Sequence, residues 1–273
     1  MNEHSMLKTG TVETEEVAPD ILSLRTVMVN LLMVGDRQAG DWVLVDTGMS
    51  KFEDTIVETA EERFGRPPAC IILTHGHFDH VGNVKELADR YNIPVFAHQL
   101  ELPYLTGEAD YPPGDPSVGG GMMARLAKAY PNDAIDLGST VQALNEDGSV
   151  PALPEWRWIY TPGHSPGHIS LFRERDGALI AGDAFITVKQ ESALAVVGQK
   201  RELHGPPMYF TPDWGAAEES VQKLAALNPK IAVTGHGVSM SGGELQESLH
   251  RLATNFKELA VPEQGKYVED RKK

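Results

Sequence analysis

A chain of 273 residues with 41% hydrophobic side chains carries enough apolar surface for one sizeable domain and does not have the composition of a disordered segment. Its 24 Lys and Arg against 39 Asp and Glu leave a formal net charge of -15, which excludes broad electrostatic attraction to nucleic acid or anionic lipid. The single cysteine, Cys70, excludes an internal disulfide and a thiolate zinc cluster, and no apolar run approaches the roughly 18 residues of a membrane span. The first residues lack the basic and apolar regions of a signal peptide, so a soluble, cytoplasmic protein is expected.

Residues 1–20 are polar and acidic and read as a tail. SLRTVMVNLLMVG (23–35) and WVLVD (42–46) read as strands, rich in Val, Leu and Met and ended by Gly or Asp. KFEDTIVETAEERFG (51–65) places Phe52, Ile56, Val57, Ala60 and Phe64 at helical spacing, with Gly65 as the stop. CIILT (70–74) is a continuous apolar run that suits a strand buried on both faces, with Cys70 as a small apolar side chain. A short helix, NVKELADRY (83–91), and a strand, PVFAH (94–98), follow. Residues 101–131 are different: the Pro/Gly-rich YPPGDPSVGGG precedes an apolar helical stretch, MMARLAKAY, and a connection of this kind reads as a lid or pocket wall. WRWIYT (156–161) alternates, ISLFRERDGALIAGD (169–183) reads as a hairpin turning at Asp176-Gly177, and IAVTG (231–235) is another buried strand. WGAAEESVQKLAALN and GELQESLHRLATNFKELA read as two helices. Strands and helices intermix throughout, so the class is α/β, with one domain over 21–260, the lid-like insertion at 101–131 and a closing tail at 261–273.

THGHFDH (74–80) puts His75, His77, Asp79 and His80 within six positions, directly after an apolar strand, where open α/β sheets place their ligands. Such a loop is half of a metal site, because one short segment cannot surround two ions. Three later strand ends carry ligand-type residues beside glycine: His164 in TPGHSPGH (161–168), Asp183 in AGDAF (181–185) and His236 in TGHG (234–237). Together these make seven nitrogen or oxygen donors, enough for two ions with room for a bridging water. His168, four residues after His164, is expected to support the site without ligating, since partners behind a metal-bound imidazole commonly orient it.

These motifs, with VLVDTG (43–48) before them and in this order, resemble the metallo-β-lactamase superfamily. The resemblance implies a single-domain αββα sandwich, two mixed β-sheets between helical layers. It also implies that His75, His77 and His164 bind a first metal, that Asp79, His80 and His236 bind a second, that Asp183 bridges them, and that Asp46 orients a ligand from behind.

A pair of divalent cations sharing a water would make a bridging hydroxide available near neutral pH for attack on a carbonyl carbon. Asp79 is the candidate general acid/base. Zinc is the first choice for a mostly imidazole ligand set, and iron and manganese accept the same donors. The expected substrate is a small ester, lactone or thioester, with no nucleic acid or membrane partner. Asp183 stands where the name-giving β-lactamases commonly have cysteine or serine. The segment after His236 is short where the glyoxalase II group carries a basic helical extension, and the N-acyl homoserine lactonases resemble the chain in length and ligands. The competing reading is a mononuclear iron oxidoreductase of the persulfide dioxygenase type, with β-lactamase and metal-dependent nuclease as lesser ones. Tyr209, Phe210, Trp214 and Phe185 are candidates to line a pocket, and Met122, Met123, Leu126 and Ala127 offer an apolar surface for an acyl or aryl group.

Overall fold

The computed structural model describes residues 8–9, 12–38, 40–119, 122–189, 198 and 201–268. The chain divides into two compact units, one from residues 1–109 and 134–156 and the other from 110–133 and 157–273. Each contains one mixed sheet.

The sheet of the first unit has eight strands in chain order: β1 (Lys8–Thr9), β2 (Val12–Ala18), β3 (Ile21–Thr26), β4 (Val29–Gly35), β5 (Trp42–Val45), β6 (Cys70–Ile72), β7 (Val95–Ala97) and β8 (Val141–Ala143). Neighbours are antiparallel from β1 to β5 and parallel from β5 to β8. Parallel neighbours need crossovers, and helices α1 (Glu53–Phe64) and α2 (Val84–Tyr91) supply the first two. Alternate residues on one face, among them Leu22, Leu24, Leu31, Met33, Leu44 and Ile71, form a core with Ile56, Ala60 and Phe64 of α1 and Leu87 of α2. The period of two in the strands thus meets the helical period of α1 read from sequence. Gly65 caps α1 with φ 62°, where glycine avoids the Cβ penalty.

Three sequence expectations change in this unit. SLRTVMVNLLMVG is not one strand: β3 and β4 form a hairpin through Val27-Met28, with Val27 at φ 61° and Thr26 paired to Val29. No glycine or asparagine marks this turn, so the register of the buried strands imposes it against the preference of a β-branched residue. Residues 12–18, read as part of a polar tail, are β2. Two of the three glutamates of this strand are matched by arginines of neighbouring elements, Glu13 by Arg25 of β3 and Glu16 by a two-pronged contact from Arg63 of α1 at 2.7 and 3.0 Å. The short edge strand β8 was not anticipated.

The second unit has the sheet order β13-β12-β11-β10-β9, built from β9 (Trp156–Tyr160), β10 (Ile169–Arg173), β11 (Ala178–Gly182), β12 (Ile231–Thr234) and β13 (Met240–Ser241). The pair β10 and β11 is the expected hairpin, β11 and β12 run parallel, and β13 returns antiparallel. Two short helices, α3 (Leu102–Leu105) in the first unit and α4 (Met122–Arg125) in the second, lie in the insertion. Helix α5 (Trp214–Ala226) and helix α6 (Gly242–Thr254) pack Val221, Leu224, Leu245, Leu249 and Leu252 against Leu179, Ala181 and Ala232 of the sheet. The last helix predicted from sequence breaks at Asn255, whose side chain donates to Arg251 O at 3.0 Å, and the chain restarts as α7 (Phe256–Leu259), burying Phe256 in the same core. The closing tail is anchored over its described part: Lys266 N–H donates to Asp115, and Tyr267 Oη donates to Pro113 O at 2.8 Å. Among the described residues no helix is long and apolar enough to cross a membrane.

Candidate metal centre

In the first unit the ligand loop follows β6 and is organised by Asp46 at the end of β5. Asp46 is buried at φ 58°, a left-handed conformation that short polar side chains adopt more readily than others. Its Oδ1 accepts the Thr74 N–H at 2.8 Å, and its Oδ2 accepts the Thr74 hydroxyl at 2.7 Å and lies 2.9 Å from His80 Nδ1. A carboxylate oxygen only accepts, so His80 carries its proton on Nδ1 and presents Nε2 as the lone-pair nitrogen. Thr74 Oγ1 has given its proton to Asp46, so at 3.0 Å it accepts from His75 Nδ1, and His75 takes the same tautomer. One carboxylate therefore sets two imidazoles.

The ring of His75 lies 4.7 Å from that of His77, edge to face, and 4.2 Å from that of His80. All three rings are buried, while Asp79 is half-buried. The loop is clipped to the segment after β5 by Thr47, whose N–H and hydroxyl both donate to His80 O at 2.7 and 3.0 Å. Asn83 completes the clip by donating to Thr47 O and Met49 O at 2.6 and 2.7 Å.

In the second unit three donors converge from three strand ends. Nε2 of His164, beyond β9, and Nε2 of His236, beyond β12, lie 3.4 and 3.3 Å from the same Oδ2 of Asp183, which follows β11. All three side chains are buried. Two glycines make the approach possible. Gly163 has φ 131° and packs on α5 so closely that a Cβ would meet Ala217 N at 2.5 Å; Gly237 has φ 99°, and a Cβ there would meet Thr187 Oγ1 at 2.4 Å. His168 is placed behind Asp183 and accepts its backbone N–H on Nε2 at 2.9 Å. Nδ1 of His168 then carries the proton and donates to Thr161 Oγ1 at 2.9 Å; Ser170, 3.1 Å from that oxygen, ends the relay by donating to Ala181 O at 2.9 Å. His236 is held by its own carbonyl, which accepts from Thr234 Oγ1 at 2.7 Å and from Thr187 N at 3.1 Å.

The candidate donors, five imidazoles and two carboxylates, fit zinc, iron or manganese and offer no thiolate. Cys70 lies buried in β6, where burial first and the charge of Asp41 second push its thiol up to about 12. It is inert at neutral pH. Sequence reasoning missed Thr74, Thr161 and Thr187, because common hydroxyl residues carry no spacing signal, and it missed Glu101, a fully buried carboxylate. Of the pocket-lining candidates, Phe185 and Trp214 belong to the core of the second unit, whereas Tyr209 and Phe210 pack on each other and on Tyr130 at 5.0 to 6.1 Å. Leu126 is 48% exposed and Ala127 is buried; the side chains of Met122 and Met123 lie outside the described residues.

The sequence matches the model of the metallo-β-lactamase superfamily over residues 24–236. It is 47% identical over 247 residues to a probable metallo-hydrolase of Bacillus subtilis, YflN, covering 89% of this chain and 94% of that protein. It is 28% identical to the hydroxyacylglutathione hydrolase of Pectobacterium atrosepticum over 76% of this chain and 61% of that enzyme. Among solved structures, a β-lactamase domain protein from Burkholderia ambifaria matches with a TM-score of 0.60 at 23% identity, covering 92% of this chain and 77% of that one. A metallo-β-lactamase from Erythrobacter litoralis matches with a TM-score of 0.59 at 18% identity, covering 92% and 99%. The αββα class expected from the motifs is the fold these proteins share with the chain.

Proposed function

This chain belongs to the metallo-β-lactamase superfamily, and from that premise we propose that it is a dinuclear metal-dependent hydrolase of a small ester, lactone or thioester. In this reading the candidate ligands serve a dinuclear centre. His75, His77 and His164 hold one ion, Asp79, His80 and His236 hold the other, and Asp183 is shared. The observation that carries the proposal is the setting of Asp183: a buried carboxylate faced by two imidazoles, with its backbone held by a third. That setting suits a bridging carboxylate, and it is the feature that turns the reading away from a dedicated β-lactamase.

The bound cations, zinc in the first place, would supply Lewis acidity and lower the pKa of a coordinated water from about 15.7 toward about 7. Asp46 keeps His75 and His80 in the tautomer that offers Nε2. A carboxylate oxygen of Asp79 accepts the proton of the attacking water and returns it to the leaving oxygen or sulfur. The exposed side chain of Leu126 would offer apolar surface to an acyl or aryl group, with the insertion as a pocket wall. The match to a hydroxyacylglutathione hydrolase supports thioester chemistry in general. The reducing cytoplasm is the proposed setting.

Elemental analysis of the purified protein, paired with a panel of acyl homoserine lactones, aryl esters, S-lactoylglutathione, a cephalosporin and a phosphodiester, tests the reading. Two ions per chain and the highest kcat/KM on lactones or esters are expected. A single tightly held iron without hydrolysis would replace the hydrolase with the oxidoreductase.

A further inference from the structure

The HxH loop of the first unit rests on a carboxylate that the ligand set does not include. Glu101 ends the turn Gln99–Glu101 after β7 and has no exposed surface. The turn itself is set by His98, whose Nδ1 accepts the Leu100 N–H at 3.2 Å and whose carbonyl accepts the Glu101 N–H at 2.8 Å. This geometry brings Glu101 Oε2 to 3.0 Å from the backbone N–H of Gly76, the residue between His75 and His77. Burying a carboxylate is unfavourable unless charge-assisted bonds or nearby positive charge compensate it. A carboxylate at this place has a further effect: its bond to Gly76 is roughly twice as strong as a neutral one, and its field raises the affinity of the adjoining imidazoles for a cation.

We propose that Glu101 is a positioning residue for the metal centre: through Gly76 N–H it fixes the angle at which His75 and His77 present their rings. The inference rests on the metal reading above. Because Glu101 also opens the insertion, continuing directly into α3, it ties the root of that segment to the ligand loop.

The test compares wild type, Glu101→Gln and Glu101→Ala by competition with a chelator for Zn2+ and by the absorption spectrum of the Co2+-loaded protein, alongside thermal melting. Glu101→Ala should weaken metal binding by about 10- to 100-fold and alter the cobalt bands. Glu101→Gln, which keeps an acceptor oxygen but loses the charge, should recover most of that loss and remain a few-fold weaker than wild type. Should Glu101→Ala fail to fold, Glu101→Gln decides: a few-fold loss supports the role and an unchanged affinity and spectrum overturn it. A lower melting midpoint with unchanged affinity and spectra in both variants also overturns it, leaving a structural role only. Wild type that takes up no ion would overturn the metal reading and this inference together, whereas variants that match an ion-binding wild type overturn this inference alone.

Discussion

In the first unit four candidate ligands come from a single loop, and side chains lock them: Asp46 fixes the tautomers of His75 and His80, and Thr47 and Asn83 clip the loop behind them. In the second unit three candidate ligands come from three separate strand ends, and what is locked is mainly backbone: the amide of Asp183 by His168 and the carbonyl of His236 by Thr187 and Thr234. The difference follows from chain economy. A short loop already brings its ligands near one another and needs only their rings aimed, whereas distant strand ends must first be brought to one place, and hydrogen-bonded backbone does that with the least rotamer freedom to lose. A change behind the first group should therefore disturb two ligands at once, and a change behind the second should disturb one.

The largest effect is expected for Asp46→Asn. The substituted amide can still accept from Thr74 N–H, but an NH2 facing His80 Nδ1 requires that nitrogen to accept, which moves the ring proton to Nε2 and blocks ligation. Metal affinity should fall by about 100-fold, the upper end for orienting partners, with both ions affected in a stoichiometry measurement. An intermediate effect, about 10-fold, is expected for His168→Gln, because only the Asp183 amide loses its partner geometry. A loss at His168 equal to that at Asp46 would break the comparison between the two units.

The smallest effect sharpens it from outside the ligands. Burial works against ionisation of Asp115, but bonds from Ser117 and the Lys266 N–H outweigh it and hold the carboxyl below its usual range. A carboxyl lowered in the folded state contributes stability above its unfolded value, about 3.9, and loses that contribution as pH falls through the folded value. Asp115→Asn should thus melt earlier than wild type at pH 7, with the gap narrowing as pH drops below about 4, and with metal affinity unchanged throughout. Calorimetry across pH and chelator competition at pH 7 check both halves of the statement.

Much of the architecture was legible because it repeats locally. The apolar spacing of α1 and its Gly65 stop, the Asp176-Gly177 hairpin and the buried run at Cys70–Ile72 each carry their signal within a few residues. The turn at Val27-Met28, the break at Asn255 and the acidic strand β2 did not, since each depends on a partner elsewhere: strand register for the turn, the core site of Phe256 for the break, Arg25 and Arg63 for the strand.

The residue types and their order along the chain are settled by sequence, because metal ligation admits few side chains and a loop such as THGHFDH has few other uses. The tautomers and the supports are decided only by the tertiary structure. Thr74 lies 28 residues from Asp46, His80 lies 34 from it, and Glu101 lies 25 from Gly76, and these groups meet because β5, β6 and β7 run parallel in one sheet and end at the same edge. A hydrogen bond acts over about 3 Å and carries no trace along the sequence, so which carboxylate aims which imidazole becomes visible only once the strands are side by side.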